Sequence, residues 1–136
     1  MSDTGTILAL DVGSARIGLA LASNAARLAS PRGALIHDEA TIDQLRELCH
    51  REGVTHLVIG LPRGMSGQDT KQTALVQEFG DNLAHELGIP MTWQDEAVTS
   101  VRAEEELRAR GKLYSKSDID ALAATYILED YLHENV

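Results

Sequence analysis

The sequence predicts an α/β fold built on a mixed five-stranded sheet, with an antiparallel three-stranded hairpin edge, parallel strands and helices on both faces. Two β-prone segments follow each other closely near the amino terminus, which favours an antiparallel hairpin. Further along, short apolar runs alternate with segments of helical periodicity, as in parallel strands joined by helical crossovers. The 136 residues, of which 43% are hydrophobic, are enough for one domain spanning residues 1–136.

The first three predicted strands form the antiparallel part of the sheet. Residues 7–10 are apolar at every position, as in a strand that is covered on both faces. Residues 17–22 follow after a short turn, and a third strand is predicted over residues 33–37. Pro31 lacks a backbone donor, so it suits an edge strand or the entrance to a strand.

Helices and parallel strands alternate in the rest of the chain. Apolar residues at helical spacing predict a first helix from residue 41, which ends at Gly53. The same criteria predict a strand at 56–59, a helix at 70–87, a strand at 91–94 and helices at 101–109 and 118–133. The first, fourth and fifth strands are then parallel. Their carboxyl ends meet at one edge of the sheet, where such folds bind ligands.

Composition excludes several classes of protein. The net charge of −9 excludes nucleic-acid binding through bulk positive charge, so any polyanion must bind to a local patch. A polar amino terminus and the lack of a long apolar run predict a cytoplasmic protein with no membrane span or secretory signal. The single cysteine, Cys49, excludes an internal disulfide and a Cys-based zinc site. Its amphipathic surroundings favour a buried, inert thiol over a nucleophile.

Acidic residues are expected to converge at the carboxyl edge of the sheet. Asp11 ends the first strand, Asp95 and Glu96 end the fifth, and Asp120 lies on the apolar face of the last helix. The local sequence offers them no basic partner. An all-oxygen site of this kind suits Mg²⁺ or Mn²⁺ and the hydrolysis of phosphodiester bonds.

Each of these acids also has a purely structural interpretation. Asp11 fits an Asx turn that closes the hairpin. Asp120 follows Ser117 at capping-box spacing, in which the acid accepts a hydrogen bond from a backbone donor at the start of the helix. Asp95 and Glu96 fit a solvated loop or the acidic start of the next helix.

A glycine-rich loop at residues 60–67 separates a predicted strand from a predicted helix. Its backbone N–H groups suit a phosphate, although the loop lacks the Gly-Lys-Ser/Thr ending of a nucleotide-binding P-loop. Turn geometry alone is the alternative role for these glycines. Arg63 within the loop and Lys71 after it are predicted nucleic-acid contacts.

One dense basic tract lies between the last two predicted helices, at residues 108–116. It is predicted to bind a phosphate backbone through four cations while an aromatic ring stacks on an unpaired base. These residues are Arg108, Arg110, Lys112, Lys116 and Tyr114. Cations that stabilise the end of a helix are the alternative interpretation.

Four motifs together resemble the YqgF/RuvX family across almost the whole chain. They are Leu10-Asp11-Val12-Gly13-x3-Ile17-Gly18-x-Ala20, Val58-Ile59-Gly60-Leu61-Pro62 with Met65 and Gly67, Asp95-Glu96-x2-Thr99, and Asp120-Ala121-x-Ala123-Ala124-x2-Ile127-Leu128. The resemblance implies a ribonuclease H-like fold. It also implies a nuclease that resolves Holliday junctions or processes the precursor of 16S ribosomal RNA, with Asp11, Glu96 and Asp120 as metal-binding acids.

The chain departs from this family at two positions. Ala97 stands where the family usually has Arg, and Gly64 where it often has Asn. The lost guanidinium removes a group that would steady charge on the phosphate, and Arg63 and Arg102 are candidates to replace it.

The departures leave a non-catalytic ribosome-binding or nucleic-acid-binding module as an alternative function. A kinase-like ATPase is disfavoured, because that fold encloses ATP between two domains. Resolution of a junction needs paired cuts and therefore a homodimer.

Overall fold

The computed structural model describes residues 4–64, 66–96, 99–111 and 113–136. Within these ranges five strands and four helices follow the predicted order. The strands are β1 (Thr6–Val12), β2 (Arg16–Ser23), β3 (Ser30–Ile36), β4 (Val54–Pro62) and β5 (Met91–Glu96). The helices are α1 (Thr41–Glu52), α2 (Lys71–Leu87), α3 (Thr99–Ala109) and α4 (Lys116–Glu134). In the described part of the chain, no helix has the length and apolarity needed to cross a membrane.

The strands form one sheet in the order β3-β2-β1-β4-β5. The β1–β2 and β2–β3 pairs are antiparallel, whereas β1, β4 and β5 run parallel. The predicted mixed sheet with an antiparallel hairpin edge is therefore confirmed. Pro31 lies in the edge strand β3, where its missing N–H group costs the sheet little.

Alternation along β1 divides the core between the two faces of the sheet. Leu8 and Leu10 belong to the cluster that includes side chains of α1 and α2. Ile7 and Ala9 belong to the cluster that includes side chains of α4. Helices thus cover both faces, as predicted. Asp11 continues the series of Ile7 and Ala9, which places its side chain on the α4 side.

Helix α4 approaches the sheet closely where β2 carries a glycine. A Cβ atom at Gly18 would lie 2.0 Å from the backbone oxygen of Asp120. The motif that begins at Asp120 also offers two small residues for this approach, Ala123 and Ala124. Ala124 does pack in the cluster beneath α4, but Ala123 belongs to the cluster between α3 and α4. Gly18 and Ala124 together therefore set the distance between helix and sheet.

The lone thiol is structural. Cys49 is buried in the cluster between the sheet and α1, as predicted. Burial raises the pKa of the Cys49 thiol to about 11, so it remains protonated and unreactive at neutral pH.

His56 gives the fold a pH dependence away from the acidic edge. Its Nε2 lies 2.8 Å from Thr92 Oγ1, and its ring stacks on Tyr131 with centroids 5.8 Å apart. Burial lowers the pKa of His56, so the folded protein binds a proton less readily than the unfolded chain does. Stability should therefore fall as the pH drops below the usual histidine pKa of about 6.5.

Thermal unfolding of His56→Gln and of wild type between pH 8 and pH 5 measures this contribution. The variant should lose less stability across the range than wild type. His133→Gln, at an exposed position in α4, is the matched control and should keep the wild-type slope. Equal slopes for wild type and His56→Gln would contradict the assignment.

Candidate active site

The carboxyl ends of the parallel strands meet at one edge of the sheet. Parallel pairing sets Leu10 of β1 beside Ile59 of β4, so the next residues, Asp11 and Gly60, are also neighbours. The missing side chain of Gly60 leaves room for Glu96 of β5. A Cβ atom at Gly60 would lie 3.1 Å from Glu96 Oε2. Glu96 therefore extends over β4 towards Asp11.

Asp11 and Glu96 are hydrogen bonded to each other through their carboxyl groups. Burial raises the pKa of Asp11 well above its usual value. The charge of Glu96, this hydrogen bond and the charge of Asp120 raise it further. The Asp11 carboxyl therefore keeps its proton to a higher pH than an exposed aspartate does, unless a cation offsets the neighbouring charges.

Asp120 reaches the same edge from α4. Gly18 is the hairpin partner of Asp11, and the backbone of Asp120 packs directly on Gly18. The Asp120 side chain is 18% exposed, and Arg16 Nε donates a hydrogen bond to its Oδ2 at 2.5 Å. The fold thus places Asp120 at the same edge as Asp11 and Glu96, near enough for its charge to raise the pKa of Asp11.

Arg16 corrects the expectation that these acids have no basic partner. It is the first residue of β2, and the hairpin turn returns it to the edge where β1 ends. The Gly13 N–H group closes that turn by donating to the Arg16 carbonyl at 2.9 Å. The carboxyl group of Asp11 is hydrogen bonded to Glu96 instead of to the turn. The short hairpin turn after Asp11 was the feature of the sequence that could have predicted Arg16 at this edge. The local sequence around Asp120 does not indicate this partner, because Arg16 lies 104 residues away.

The capping-box interpretation of Asp120 is wrong. Ser115, not Ser117, caps α4, and its hydroxyl accepts a hydrogen bond from the Asp118 N–H group at 3.2 Å. The Asp118 carboxylate accepts in return from the Ser115 N–H group at 2.9 Å. Asp120 takes no part in this cap and faces β2 instead.

Asp95 is directed away from the other acids. Its side chain is 78% exposed, and its Oδ1 lies 3.5 Å from Arg63 Nε. Arg63 also forms an ion pair with Asp69. Of the two acids that end β5, only Glu96 contacts Asp11, and Arg63 lies beside this edge through its contact with Asp95.

The glycine-rich loop uses its own backbone donors. The Gly64 N–H group donates to the Gln68 carbonyl at 2.7 Å, and the Gly67 N–H group donates to the Gly64 carbonyl at 2.9 Å. The Ser66 N–H group donates to Gln68 Oε1 at 2.9 Å. These bonds favour turn formation over a phosphate-binding role. Met65 of the family motif lies outside the described residues.

The two arginines of the basic tract are bound to their own helix. Arg108 pairs with Glu104, and Arg110 pairs with Glu106, each one turn earlier in α3. These pairs favour the helix-end interpretation for both arginines, because their charge is already offset.

The other predicted nucleic-acid contacts lie at the starts of helices or between them. Lys71 and Lys116 are the exposed first residues of α2 and α4. Tyr114 is partly buried and lines a cavity of about 400 Å³ that also includes Pro31 of β3. Lys112 lies outside the described residues. Lys116 is one helical turn before Asp120, so it is the residue of the tract nearest in sequence to the acidic edge.

Arg102 has a structural role between α3 and α4. Its guanidinium carbon lies 3.7 Å from the centroid of the Tyr126 ring, and the Tyr126 hydroxyl donates to Glu106 at 2.5 Å. Burial and the hydrogen bond to Glu106 raise the pKa of Tyr126 to about 12. Arg102 is therefore engaged with α4, and Ala97 lies outside the described residues.

Among the described residues, no three His, Cys, Asp or Glu side chains are already spaced as ligands of one metal ion. Asp11 and Glu96 are hydrogen bonded to each other, and Arg16 holds Asp120.

Sequence comparison connects the chain with a family and with relatives that are named as nucleases or resolvases. The family described as "RuvX: Holliday junction resolvase" matches residues 5–134. A relative from Chloroflexus aurantiacus named "Putative pre-16S rRNA nuclease" is 43% identical over 93% of this chain and 85% of its own length. A relative of the same name from Synechocystis is 35% identical over 97% of this chain and 90% of its own length. The family resemblance and the nuclease class are confirmed.

Structural comparison confirms the ribonuclease H-like fold. Thermus thermophilus RuvC in complex with a Holliday junction superposes with a TM-score of 0.60, covering 96% of this chain and 95% of that one at 15% identity. The fowlpox virus resolvase, also bound to junction DNA, gives a TM-score of 0.57 over 96% of this chain and 99% of its own at 11% identity. At such identities the likeness concerns the fold.

Proposed function

Because the chain belongs to the RuvX family of Holliday junction resolvases, we propose that it is a divalent-metal-dependent nuclease with Asp11, Glu96 and Asp120 as its catalytic and metal-binding acids. The observation that carries this assignment is the contact of Asp11 with Glu96 beside Asp120 at the carboxyl edge of the sheet. Half-buried like charges cost folding free energy, so their convergence indicates a functional site.

The donor atoms of this site suit a hard cation. Carboxylate oxygens are the ligands that Mg²⁺ and Mn²⁺ prefer. Burial raises the pKa of Asp11, and the charges of Glu96 and Asp120, which a cation would offset, raise it further. Asp11, Glu96 and Asp120 would hold the ion. When bound, such an ion activates water and stabilises the leaving oxygen of a phosphodiester. To hold the ion, Asp11 would have to give up its proton, and the Asp120 carboxylate would be shared between the ion and Arg16.

Two arginines of this chain are suited to hold the phosphate. Arg16 orients Asp120 through one hydrogen bond from Nε, and its side chain is 32% exposed, which leaves the other guanidinium donors for a phosphate. Arg63 lies beside Asp95, the neighbour of Glu96. To supply the charge that the family usually has at the position of Ala97, Arg63 would have to exchange its ion pairs with Asp69 and Asp95 for the phosphate.

The substrate that we propose is RNA of the 16S precursor, processed in the cytoplasm. The relatives that are 43% and 35% identical carry that substrate in their name. Branched DNA is the second candidate, since the family description names the Holliday junction.

Gel-resolved cleavage of labelled precursor RNA and four-way DNA, with and without Mn²⁺, tests both substrates. We expect metal-dependent cleavage of the RNA by wild type and by Asp95→Asn, which alters an exposed neighbouring acid. Binding without cleavage of either substrate would favour the non-catalytic module instead.

The oligomeric state of the protein distinguishes further between the two candidate substrates. Resolution of a junction requires paired cuts by two copies, whereas trimming of an RNA end requires one. Light scattering across micromolar concentrations, with and without four-way DNA, measures this. A dimer on the junction would support resolution, and a monomer throughout would support RNA trimming.

Salt dependence tests which cations contact the nucleic acid. Lys116 is exposed and lies one helical turn before Asp120, while Arg110 is paired with Glu106. We therefore expect Lys116→Gln to reduce the magnitude of the slope of log K against log salt by about one, the change that follows from the loss of one phosphate contact. Arg110→Gln is the matched control and should change the slope less. Equal reductions for the two variants would show that Arg110 also contacts phosphate.

A further inference from the structure

A cavity of about 620 Å³ lies beside the acidic edge on the opposite face of the sheet. Its walls come from three parts of the chain. Val12 and Gly13 follow Asp11 at the end of β1, His37 follows β3, and Leu75 and Phe79 belong to α2. Nothing in the proposed cleavage reaction uses this cavity.

We propose that the cavity binds one unpaired nucleobase of the substrate, next to the nucleotide whose phosphate lies at the acids. This proposal rests on the proposed nuclease function and specifies which part of the nucleic acid is recognised. Asp11 and Val12 are consecutive residues of one strand, so their side chains point to opposite faces. A nucleic-acid strand that crosses the edge at Gly13 therefore reaches the acids and the cavity with neighbouring nucleotides.

The mouth of the cavity is fixed before any ligand binds. The backbone N–H group of His37 donates to the Ala15 carbonyl at 2.9 Å. The ring nitrogen Nδ1 of His37 lies 2.7 Å from the Gly13 carbonyl oxygen. The His37 ring meets the Phe79 ring in a T-shaped contact with centroids 4.8 Å apart. These contacts tie the β1–β2 turn to α2, so a bound base does not have to order the wall.

The chemistry of the walls favours a base over a phosphate. Phe79, Val76 and the 62% exposed Leu75 offer apolar surface, and the amides of Gln72 and Asn82 can pair with the polar edge of a base. None of the residues that line this cavity in the described chain is Lys or Arg, and Glu78 would repel a phosphate. The volume lies within the range of about 300–1,000 Å³ typical of small-ligand sites.

Binding of a short single-stranded RNA that contains 2-aminopurine tests the proposal without cleavage. The titration is made in EDTA, with anisotropy of an end label as the measure of affinity. Fluorescence of 2-aminopurine should rise as the base leaves its stack and enters the cavity. The double variant Leu75→Ala/Asn82→Ala should bind at least about tenfold more weakly, as expected when a base loses its contacts.

The double variant Leu28→Ala/Gln77→Ala is the matched control. Leu28 is 77% exposed, and neither Leu28 nor Gln77 lines the cavity. The control should bind the RNA as wild type does, and all three proteins should bind blunt duplex RNA equally. Unchanged affinity of the cavity variant, or an equal loss with blunt duplex RNA, would overturn the proposal.

Cleavage assays on the same proteins separate this proposal from the proposed function. If wild type binds the base but cleaves neither RNA nor junction DNA in Mn²⁺, the cavity assignment stands and the nuclease assignment falls. If wild type cleaves and 2-aminopurine fluorescence does not change, the cavity assignment falls and the nuclease assignment stands.

Discussion

Asp11→Asn should abolish cleavage and yet raise the melting temperature of the metal-free protein at neutral pH. The reason is the raised pKa of the Asp11 carboxyl, caused by burial and by Glu96 and Asp120. Between the usual aspartate pKa and this raised value, the folded protein binds more protons than the unfolded chain. The free energy of unfolding of wild type therefore falls as pH rises through this window. Asparagine has a similar shape and does not titrate, so the variant avoids the loss.

Thermal unfolding in EDTA at pH 5 and pH 8 measures this effect. The stability advantage of Asp11→Asn over wild type should be larger at pH 8. Asp95→Asn is the matched control, because its carboxylate is 78% exposed and lies outside the cluster. A variant that is less stable than wild type at pH 8 would contradict repulsion at this edge.

Added metal should reverse the order of stability. Mn²⁺ at a hundredfold excess over its dissociation constant should stabilise wild type by about 2.7 kcal/mol. Asp11→Asn should lose most of that gain. Equal stabilisation of the two proteins by Mn²⁺ would remove Asp11 from the metal-binding set.

Asp120→Asn should differ from Asp11→Asn in sign, although both should abolish cleavage. Asp120 accepts a hydrogen bond from Arg16, and asparagine would leave that guanidinium without its charged partner. The metal-free protein should therefore lose stability. A gain would indicate that repulsion from Asp11 outweighs the contact with Arg16.

Gly18→Ala should destabilise the protein by about 1–3 kcal/mol and reduce cleavage as well. The added methyl group would lie 2.0 Å from the backbone oxygen of Asp120, so α4 itself must shift. That shift moves Asp120 away from Asp11. We expect weaker stabilisation by Mn²⁺ in addition to the lower melting temperature.

Gly60→Ala is the control that separates the shift of α4 from the mere addition of a methyl group near the acidic edge. Its methyl group would lie 2.5 Å from Ile127 Cδ1 and 3.1 Å from Glu96 Oε2, which are side-chain atoms that can move. Gly60→Ala should therefore cost less stability than Gly18→Ala. A larger loss for Gly60→Ala would show that the packing of Ile127, and not the approach of α4, limits the fold.

Periodicity was enough to predict the order and type of the elements, because apolar alternation and helical spacing are local properties. The convergence of Asp11 and Glu96 followed from the parallel strands. The cap of α4 was misplaced because Ser115-Asp118 and Ser117-Asp120 have the same spacing, and only the contact of Asp120 with Gly18 distinguishes them. Arg16 could not be predicted as the partner of Asp120, because the two residues meet only through a tertiary contact.

The contact between Arg16 and Asp120 also bears on when the protein becomes active during its synthesis. It joins residues 104 positions apart, and α4 follows the other described helices and strands in the chain. The hairpin that carries Asp11 emerges early, but its acidic edge is incomplete until α4 docks on it. Such long-range closure slows folding. A nascent chain that has not yet formed α4 therefore lacks Asp120, and we expect such a chain to cleave no RNA.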